Sequence, residues 1–154
     1  MKTNQTYINR LNDLLSTYQV HYQNLRSLHW NIIGANFFEL HAKYEHLYNR
    51  IQVIIDELAE RILTLGGLPL SKLEDYLKNS LIEENELIRD EEIGINYILS
   101  AQKEILIVER ELLKLSKELG DDGTNAFLID LIREKEKSNW MFSAWSVKQT
   151  EKVF

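Results

Sequence analysis

The chain has 154 residues, 44% of them hydrophobic and 27% charged, which is the length of one domain with enough apolar side chains to bury a core. It contains no cysteine, which excludes disulfides and thiolate metal sites and agrees with a reducing cytoplasm. Its formal net charge of −6 disfavours nucleic acid as a partner. Because no apolar run reaches membrane-spanning length and MKTNQTYINRLNDLL lacks a signal-peptide core, we expect a cytoplasmic protein with one domain, residues 1–154, and no membrane contact.

Apolar residues recur every three or four positions in the first half of the chain, which predicts two long amphipathic helices. The first spans about residues 4–32, and Gly34 ends it as a C-terminal glycine. In NFFE, Asn36 is placed to cap the second helix and Glu39 to reach back to the cap. This second helix runs to about Leu65, where GGLP ends it.

The second half of the chain predicts one short and two long helices. SKLEDYLKN, residues 71–79, is a short amphipathic segment. An apolar stripe from Ile93 to Leu119 predicts the third long helix, which Gly120 closes. DDGT precedes the fourth, about residues 124–148, whose apolar residues are Phe127, Leu128, Leu131, Trp140 and Trp145. Four long helices with short connections predict an all-α four-helix bundle, with the short extra helix in the connection between the second and third.

Two histidines and three carboxylates in the first two helices have spacings typical of metal ligands. His29 and His41 flank the predicted turn, so an antiparallel hairpin places them at similar heights. Glu45 is four residues after His41 and therefore lies on the same helix face. Asp56 and Glu60 are also four residues apart and share a face. Imidazole and carboxylate together suit iron, manganese or zinc.

One copy of the second helix cannot bring these two groups of ligands to one ion. The 15 residues from His41 to Asp56 span about 22 Å of helix, whereas a metal–ligand bond is about 2 Å. An antiparallel copy, related by a two-fold axis near residues 48–50, would place His41 beside Asp56 and Glu60 of the partner subunit, twice in each dimer. The Glu-x-x-His motif of di-iron bundles that build their site in one chain is absent from the sequence. The spacing therefore predicts a metal site shared between two subunits.

The segment from residue 29 to residue 61 resembles the Dps proteins, or mini-ferritins. The residues that match the pattern of that family are His29, Trp30, Asn31, Gly34, Phe37, Leu40, His41, Tyr44, Glu45, Asp56, Glu60 and Arg61. The short helix and the late segment EKSNWMF are similar as well, so the likeness covers nearly the whole chain, and its specific part is 29–61.

The resemblance implies a hollow homo-oligomer of twelve ferritin-like subunits with a ferroxidase site at each shared position. Its ligands would be His29, His41 and Glu45 of one subunit with Asp56 and Glu60 of its two-fold mate. The resemblance also implies oxidation of Fe(II), preferably by hydrogen peroxide, and storage of Fe(III) as a mineral, whereas zinc or manganese stays an alternative metal. The family commonly has aspartate where this chain has Glu45, and the longer side chain could alter the second iron position.

Four further residues have two interpretations each. Trp30 resembles a tryptophan beside the family's metal site, where it either packs the site or donates an electron. Asp121, Asp122 and Asp130 lie around the start of the fourth long helix. They either line an acidic pore through which iron enters, as the resemblance implies, or cap the helix and interact with its dipole.

The resemblance to the Dps proteins also raises the question of DNA binding, and the composition of the terminal segments bears on it. MKTNQ contains one lysine, and SVKQTEKVF contains two lysines offset by a glutamate, so neither is the lysine-rich tail that phosphate contacts need. We therefore expect no strong direct DNA binding. A nucleoid-associated protein that protects DNA by coating it stays the alternative function, and a helical assembly without metal is a further one.

Overall fold

A computed structural model describes the backbone of residues 4–150 and the side chains of residues 4–146. Its helices are α1 (Gln5–Asn31), α2 (Phe37–Thr64), α3 (Leu73–Asn79), α4 (Glu91–Glu118) and α5 (Asp122–Thr150), and these residues form no strand. The order and number of the predicted helices are confirmed, with ends that differ by a few residues. No helix in the described part combines the length and hydrophobicity of a membrane span.

The chain forms two compact units, residues 1–91 and 92–154. In the first unit, α1 packs against α2 and α3. The side chain of Asn4 accepts a hydrogen bond from the Tyr7 backbone N–H at 3.3 Å and so caps α1. The predicted apolar stripe of α1 is almost completely buried, including Leu11, Leu14 and Leu25. Burial of this apolar stripe stabilises the unit through the hydrophobic effect.

Three buried polar residues of α1 hold the long connection between α2 and α4 in place. Asn12 donates to the Leu68 carbonyl at 3.0 Å and accepts from the Leu70 N–H at 2.8 Å. Asn24 makes the same two kinds of bond farther along the connection, to the Glu83 carbonyl and from the Asn85 N–H, both at 2.9 Å. Thr17 accepts from the Leu81 N–H at 3.0 Å. These bonds satisfy backbone groups that no helix or sheet pairs.

The turn between α1 and α2 is fixed by Glu91. Gly34 has φ of +129°, and an oxygen of the Glu91 carboxylate lies 2.7 Å from the position that a Cβ atom at Gly34 would take. That carboxylate accepts from the Asn36 backbone N–H at 2.6 Å and from its side-chain amide at 2.8 Å. The predicted capping box is therefore wrong: Asn36 makes no side-chain cap bond, because its amide donates to a carboxylate from a distant part of the chain.

The second unit contains α4 and α5, joined by a tight turn at Gly120. Gly120 has φ of +69°, and the Asp121 N–H donates to the Ser116 carbonyl at 2.8 Å, which closes α4 as predicted. Within the unit, Lys135 and Glu109 form a buried ion pair at 3.0 Å. The apolar pattern predicts neither of these two buried charges.

Three residues named in the predicted apolar pattern of this unit are exposed in the single chain, so these predicted core positions are wrong: Ile93 at 57%, Leu119 at 37% and Trp140 at 67%. Ile93 and Trp140 each lie two positions before a buried residue, Ile95 and Phe142 respectively. Two helical steps turn a side chain by about 200°, which places it on the opposite face.

Candidate metal centre

The two histidines meet at the end of the α1–α2 hairpin, as their spacing predicts. The rings of His29 and His41 stack with centroids 3.7 Å apart and planes at 15°. The Nδ1 atom of His29 lies 2.6 Å from the His41 carbonyl oxygen, and the Nδ1 atom of His41 lies 2.7 Å from the His29 carbonyl oxygen. Two reciprocal hydrogen bonds thus join the last turn of α1 to the first turn of α2.

These bonds decide which ring nitrogen is available to a metal. A carbonyl oxygen only accepts, so each Nδ1 atom must carry the proton and donate it. In the neutral imidazole, the lone pair is then on Nε2 of both His29 and His41. Metal-binding histidines are commonly oriented in this way, with one nitrogen donating to a carbonyl and the other left for the metal.

Aromatic side chains surround the histidine pair. Phe37 stacks on His41 with centroids 5.0 Å apart, and Tyr48 meets His29 edge-on at 5.3 Å. Tyr22 of α1 in turn meets Tyr48 edge-on at 5.8 Å. His29 is only 8% exposed, whereas His41 is half-buried. The pair therefore has a packed side toward α1 and a more open side.

Glu45 lies one turn after His41 and is linked to this aromatic group by Tyr48. Partial burial and then the Glu45 carboxylate raise the pKa of the Tyr48 phenol. Sequence reasoning missed Tyr48, although its position three residues after Glu45 on one helix was a usable signal.

The remaining predicted ligands, Asp56 and Glu60, are exposed on the last turns of α2, as Glu45 is on an earlier turn. Within the side chains described for one subunit, no three His, Asp or Glu residues come together to hold a metal ion. The chain thus brings His29 and His41 together and leaves Asp56 and Glu60 at the other end of α2.

The single chain shows the exposure and the contacts of Trp30 and of the acidic residues near α5. Trp30 is 56% exposed, and the Arg26 guanidinium lies over its ring at 4.9 Å, so it is not part of the core of one subunit. Asp121 is buried and accepts from the Thr124 N–H at 3.1 Å, which is the cap interpretation. Asp130 pairs with Arg133 on the surface.

Comparisons with known proteins give matches along most of the chain. Residues 8–150 match the ferritin-like domain family. The chain is 38% identical over 138 residues to the DNA protection during starvation protein of Porphyromonas gingivalis, which covers 90% of this chain and 87% of that protein. It is 44% identical over 135 residues to an uncharacterised protein of Haemophilus influenzae, covering 88% of this chain and 84% of that protein.

Solved structures are similar to this chain over nearly its full length. A Dps protein from Vibrio cholerae O1, described as a member of a broad superfamily of ferritin-like diiron-carboxylate proteins, is 44% identical with a TM-score of 0.91, covering 94% of this chain and 97% of that one. A Dps protein from Bacillus brevis is 29% identical with a TM-score of 0.90 over the same shares.

Proposed function

The chain belongs to the Dps proteins of the ferritin-like domain family and has their all-α fold, and from this premise we propose that it is a ferroxidase that oxidises Fe(II) and stores Fe(III). Hydrogen peroxide is the preferred oxidant in this proposal. The sites lie between two-fold related subunits of a hollow homo-oligomer of twelve, in the reducing cytoplasm. Zinc or manganese is the alternative metal, because the ligand types suit either.

The observation that carries the proposal is the reciprocal pair of bonds between His29 and His41. It fixes the protons on both Nδ1 atoms and leaves both Nε2 lone pairs for a cation before any metal arrives. Preorganised imidazoles bind metal with less loss of side-chain freedom on binding.

The charges of the proposed ligands fit the direction of the reaction. Fe(II) is the substrate, and its ligands would be two neutral imidazoles and the carboxylates of Glu45, Asp56 and Glu60. Carboxylates interact more strongly with Fe(III) than with Fe(II) because the Coulomb energy grows with charge. Two Fe(II) ions give one electron each to hydrogen peroxide, which takes up two protons and leaves as two waters. The reaction therefore removes both reactants of hydroxyl-radical formation together.

The placement of the carboxylates supports a site shared between subunits. Asp56 lies about 22 Å along α2 from His41, and it is exposed together with Glu60. Both carboxylates are therefore available to a second copy of the chain. An antiparallel α2 pair would complete two equivalent sites at once.

The test is anaerobic loading of the purified protein with Fe(II), followed by rapid mixing with hydrogen peroxide or with air. We expect fast, saturable formation of Fe(III) absorbance with peroxide, slower formation in air, and a native mass of twelve subunits. The matched control is His46→Ala, because His46 is exposed on α2 beside the proposed ligand Glu45. Oxidation no faster than in buffer alone would overturn the proposal, and saturation by Zn(II) that Fe(II) cannot displace would favour the alternative metal.

The name of the Porphyromonas gingivalis relative favours a second candidate function, DNA protection. We propose that any such protection is indirect, through consumption of Fe(II) and peroxide, because the subunit charge of −6 disfavours phosphate contacts. A gel-shift experiment at low salt should show free DNA at micromolar protein. Tight retardation would establish the alternative, a nucleoid-associated protein that coats DNA.

A further inference from the structure

The ring of His41 lies between two other flat rings. His29 stacks on it with centroids 3.7 Å apart and planes at 15°, and Phe37 stacks on it with centroids 5.0 Å apart and planes at 21°. A ring as close as that of His29 occupies one face of the His41 imidazole, so the nearly parallel ring of Phe37 has room only on the opposite face. The three side chains thus form a short stack with His41 in the middle.

The hydrogen bond of His41 fixes only one of the two features that decide where its Nε2 atom points. Its Nδ1 atom lies 2.7 Å from the His29 carbonyl oxygen, which selects one of the two flipped positions of the ring. The torsion that rotates a histidine ring about its Cβ–Cγ bond is broad, so the ring can still tilt about this hydrogen bond. Flat rings on both faces restrict that tilt.

His41 depends on this restriction more than His29 does. His29 is only 8% exposed and is held by its burial, whereas His41 is half-buried and lies on the open side of the pair. Without Phe37, one face of the His41 ring would have no flat partner. The metal would then have to order the ring as it binds, which lowers the affinity.

Phe37 lies on a part of the chain that is itself fixed. It is the first residue of α2, one helical turn before His41 and therefore on the same face. Its backbone N–H donates to the Gly34 carbonyl at 3.2 Å, and the ring of Phe38 meets its ring edge-on at 5.3 Å and 75°. Phe37 therefore has the rigid support that a residue needs if it is to orient another one.

Resting on the proposed function, we propose that Phe37 is a positioning residue of the metal site. Its ring holds the His41 imidazole in the orientation that presents Nε2 to the cation. Phe37 does not bind the metal, since its side chain has no ligand atom. The inference deepens the proposed site, because it names the side chain that preorganises the more exposed of the two imidazoles.

The test measures metal binding rather than turnover. Anaerobic titration of the assembled protein with Co(II), followed by its visible absorption, reports affinity, stoichiometry and ligand geometry together. Phe37→Leu keeps an apolar side chain and removes the flat ring. We expect it to weaken Co(II) binding about 2- to 12-fold, the factor that corresponds to the loss of one aromatic contact, and to alter the absorption bands. Phe37→Tyr keeps the flat ring and should bind Co(II) within about two-fold of wild type.

Phe38→Leu is the matched control, because it makes the same substitution at the next residue of the same helix. Phe38 is 83% exposed and is turned by about 100° from Phe37, away from the His41 face. This variant should change the Co(II) affinity by less than about two-fold. Equal losses in Phe37→Leu and Phe38→Leu would overturn the inference, because a general loosening of the first turn of α2 would then explain both. A loss in Phe37→Tyr as large as that in Phe37→Leu would overturn it as well.

A double-mutant cycle shows whether Phe37 acts through His41. In the His41→Ala background, Phe37→Leu should change the remaining Co(II) affinity by less than about two-fold, because the ring that it orients has already been removed. Additive losses would overturn the inference. Urea unfolding of the same variants measures their stability separately from their metal affinity, so a purely structural effect is recognised by a loss of stability without coupling to His41.

The outcomes separate this inference from the proposed function. If the wild-type protein binds Co(II) saturably and Phe37→Leu binds it with the same affinity and spectrum, the inference alone fails. If the wild-type protein shows no saturable binding of Co(II) or Fe(II), the proposed site fails and the inference fails with it.

Discussion

Tyr44 is fully buried, and its hydroxyl has no hydrogen-bond partner among the side chains and backbone described for residues 4–146. Burial, and then the carboxylates of Glu91 and Asp90, raise the pKa of this phenol. In the unfolded chain the phenol ionises near its ordinary pKa of 10.0, whereas in the folded chain it stays protonated to higher pH. Above pH 10 the unfolded state therefore binds fewer protons than the folded state, and stability falls as the pH rises.

The first prediction follows from this hydroxyl. Tyr44→Phe should leave the free energy of unfolding at neutral pH unchanged or raise it by up to about 1 kcal/mol, because no protein hydrogen bond is lost. It should also reduce the loss of stability above pH 10. Urea unfolding at neutral and alkaline pH measures both, with Tyr22→Phe, a half-buried phenol, as the control. Destabilisation by more than about 1 kcal/mol would mean that the assembled protein supplies a partner for the hydroxyl.

At the residue scale, the sequence predicts the meeting of His29 and His41, because the hairpin turn and the helical rise fix where both lie. The rings do stack, at 3.7 Å. The reciprocal bonds to the backbone could not be predicted, since they depend on the separation of two helices and on ring rotation. Metal binding by these residues stays a prediction.

At the element scale, two of the three described glycines with positive φ, Gly34 and Gly120, lie in turns after long helices but differ in what surrounds them. A Cβ atom at Gly34 would lie 2.7 Å from an oxygen of the Glu91 carboxylate, whereas one at Gly120 would have no atom within 4 Å. Gly34→Ala should therefore destabilise the protein by more than Gly120→Ala. Backbone strain alone accounts for about 1–3 kcal/mol at either position.

Displacement of Glu91 adds to the cost at Gly34, because that carboxylate holds both nitrogen atoms of Asn36. Urea unfolding of Gly34→Ala, Gly120→Ala and wild type measures the difference. Rapid Fe(II) oxidation should fall only in Gly34→Ala, since this turn sets the approach of the two histidines. Equal destabilisation by both substitutions would mean that Glu91 does not fix the turn.

The buried ion pair of the second unit gives a third prediction. The side chains of Lys135 and Glu109 are 9% and 0% exposed, so Lys135→Met leaves a carboxylate buried without its ammonium partner. We expect a loss of about 3–5 kcal/mol in the free energy of unfolding, and recovery of most of it when Glu109→Leu is added.

The control pair lies one residue farther along each of the same two helices. Arg110 and Glu136 are 3.9 Å apart with side chains 55% and 59% exposed. Arg110→Met should change stability by less than about 1 kcal/mol, because water and salt screen an exposed pair. Thermal or urea unfolding of these three variants and the wild type measures the differences. A similar small loss in Lys135→Met would mean that Glu109 accepts a proton or finds another partner when the lysine is removed.

Helix positions were predictable from apolar spacing, but the details at their ends were not. The stripe of α1 is buried as predicted, and Gly120 closes α4 as predicted. The predicted capping box at Asn36 is wrong because the Asn36 side chain instead contacts Glu91, which is distant in sequence and close in space. The predicted burial of Ile93 is wrong because an apolar residue can lie on either face at the first turn of a helix, where few residues define the spacing pattern.

At the scale of the whole molecule, the separation of the ligands along α2 is the feature that requires a partner. One subunit holds the histidines at the start of α2 and two exposed carboxylates near its end. A rigid helix cannot bring the two together, so the proposed ligand set requires a second copy of the chain. This geometry predicts a two-fold pair from sequence, whereas a number such as twelve comes from the family resemblance.

Mixed oligomers of two inactive variants test the shared site. His41→Ala and Asp56→Ala should each lose most rapid Fe(II) oxidation by peroxide. In a mixed dimer, one site combines both defects, and the other is built from the intact His41 and the partner subunit's intact Asp56. With equal amounts and random pairing, half of the dimers are mixed and half of their sites are intact, so about a quarter of the wild-type oxidation should return.

The control for this experiment is a mixture of His41→Ala with His29→Ala, prepared by the same exchange of subunits. Both histidines come from one subunit, so every site in such a mixture lacks one imidazole, and no activity should return. Recovery in the first mixture but not the second can arise only if His41 and Asp56 act from different chains. Failure of both mixtures, with native mass spectrometry confirming mixed dimers, would place each site within one chain and remove the reason for the antiparallel α2 pair.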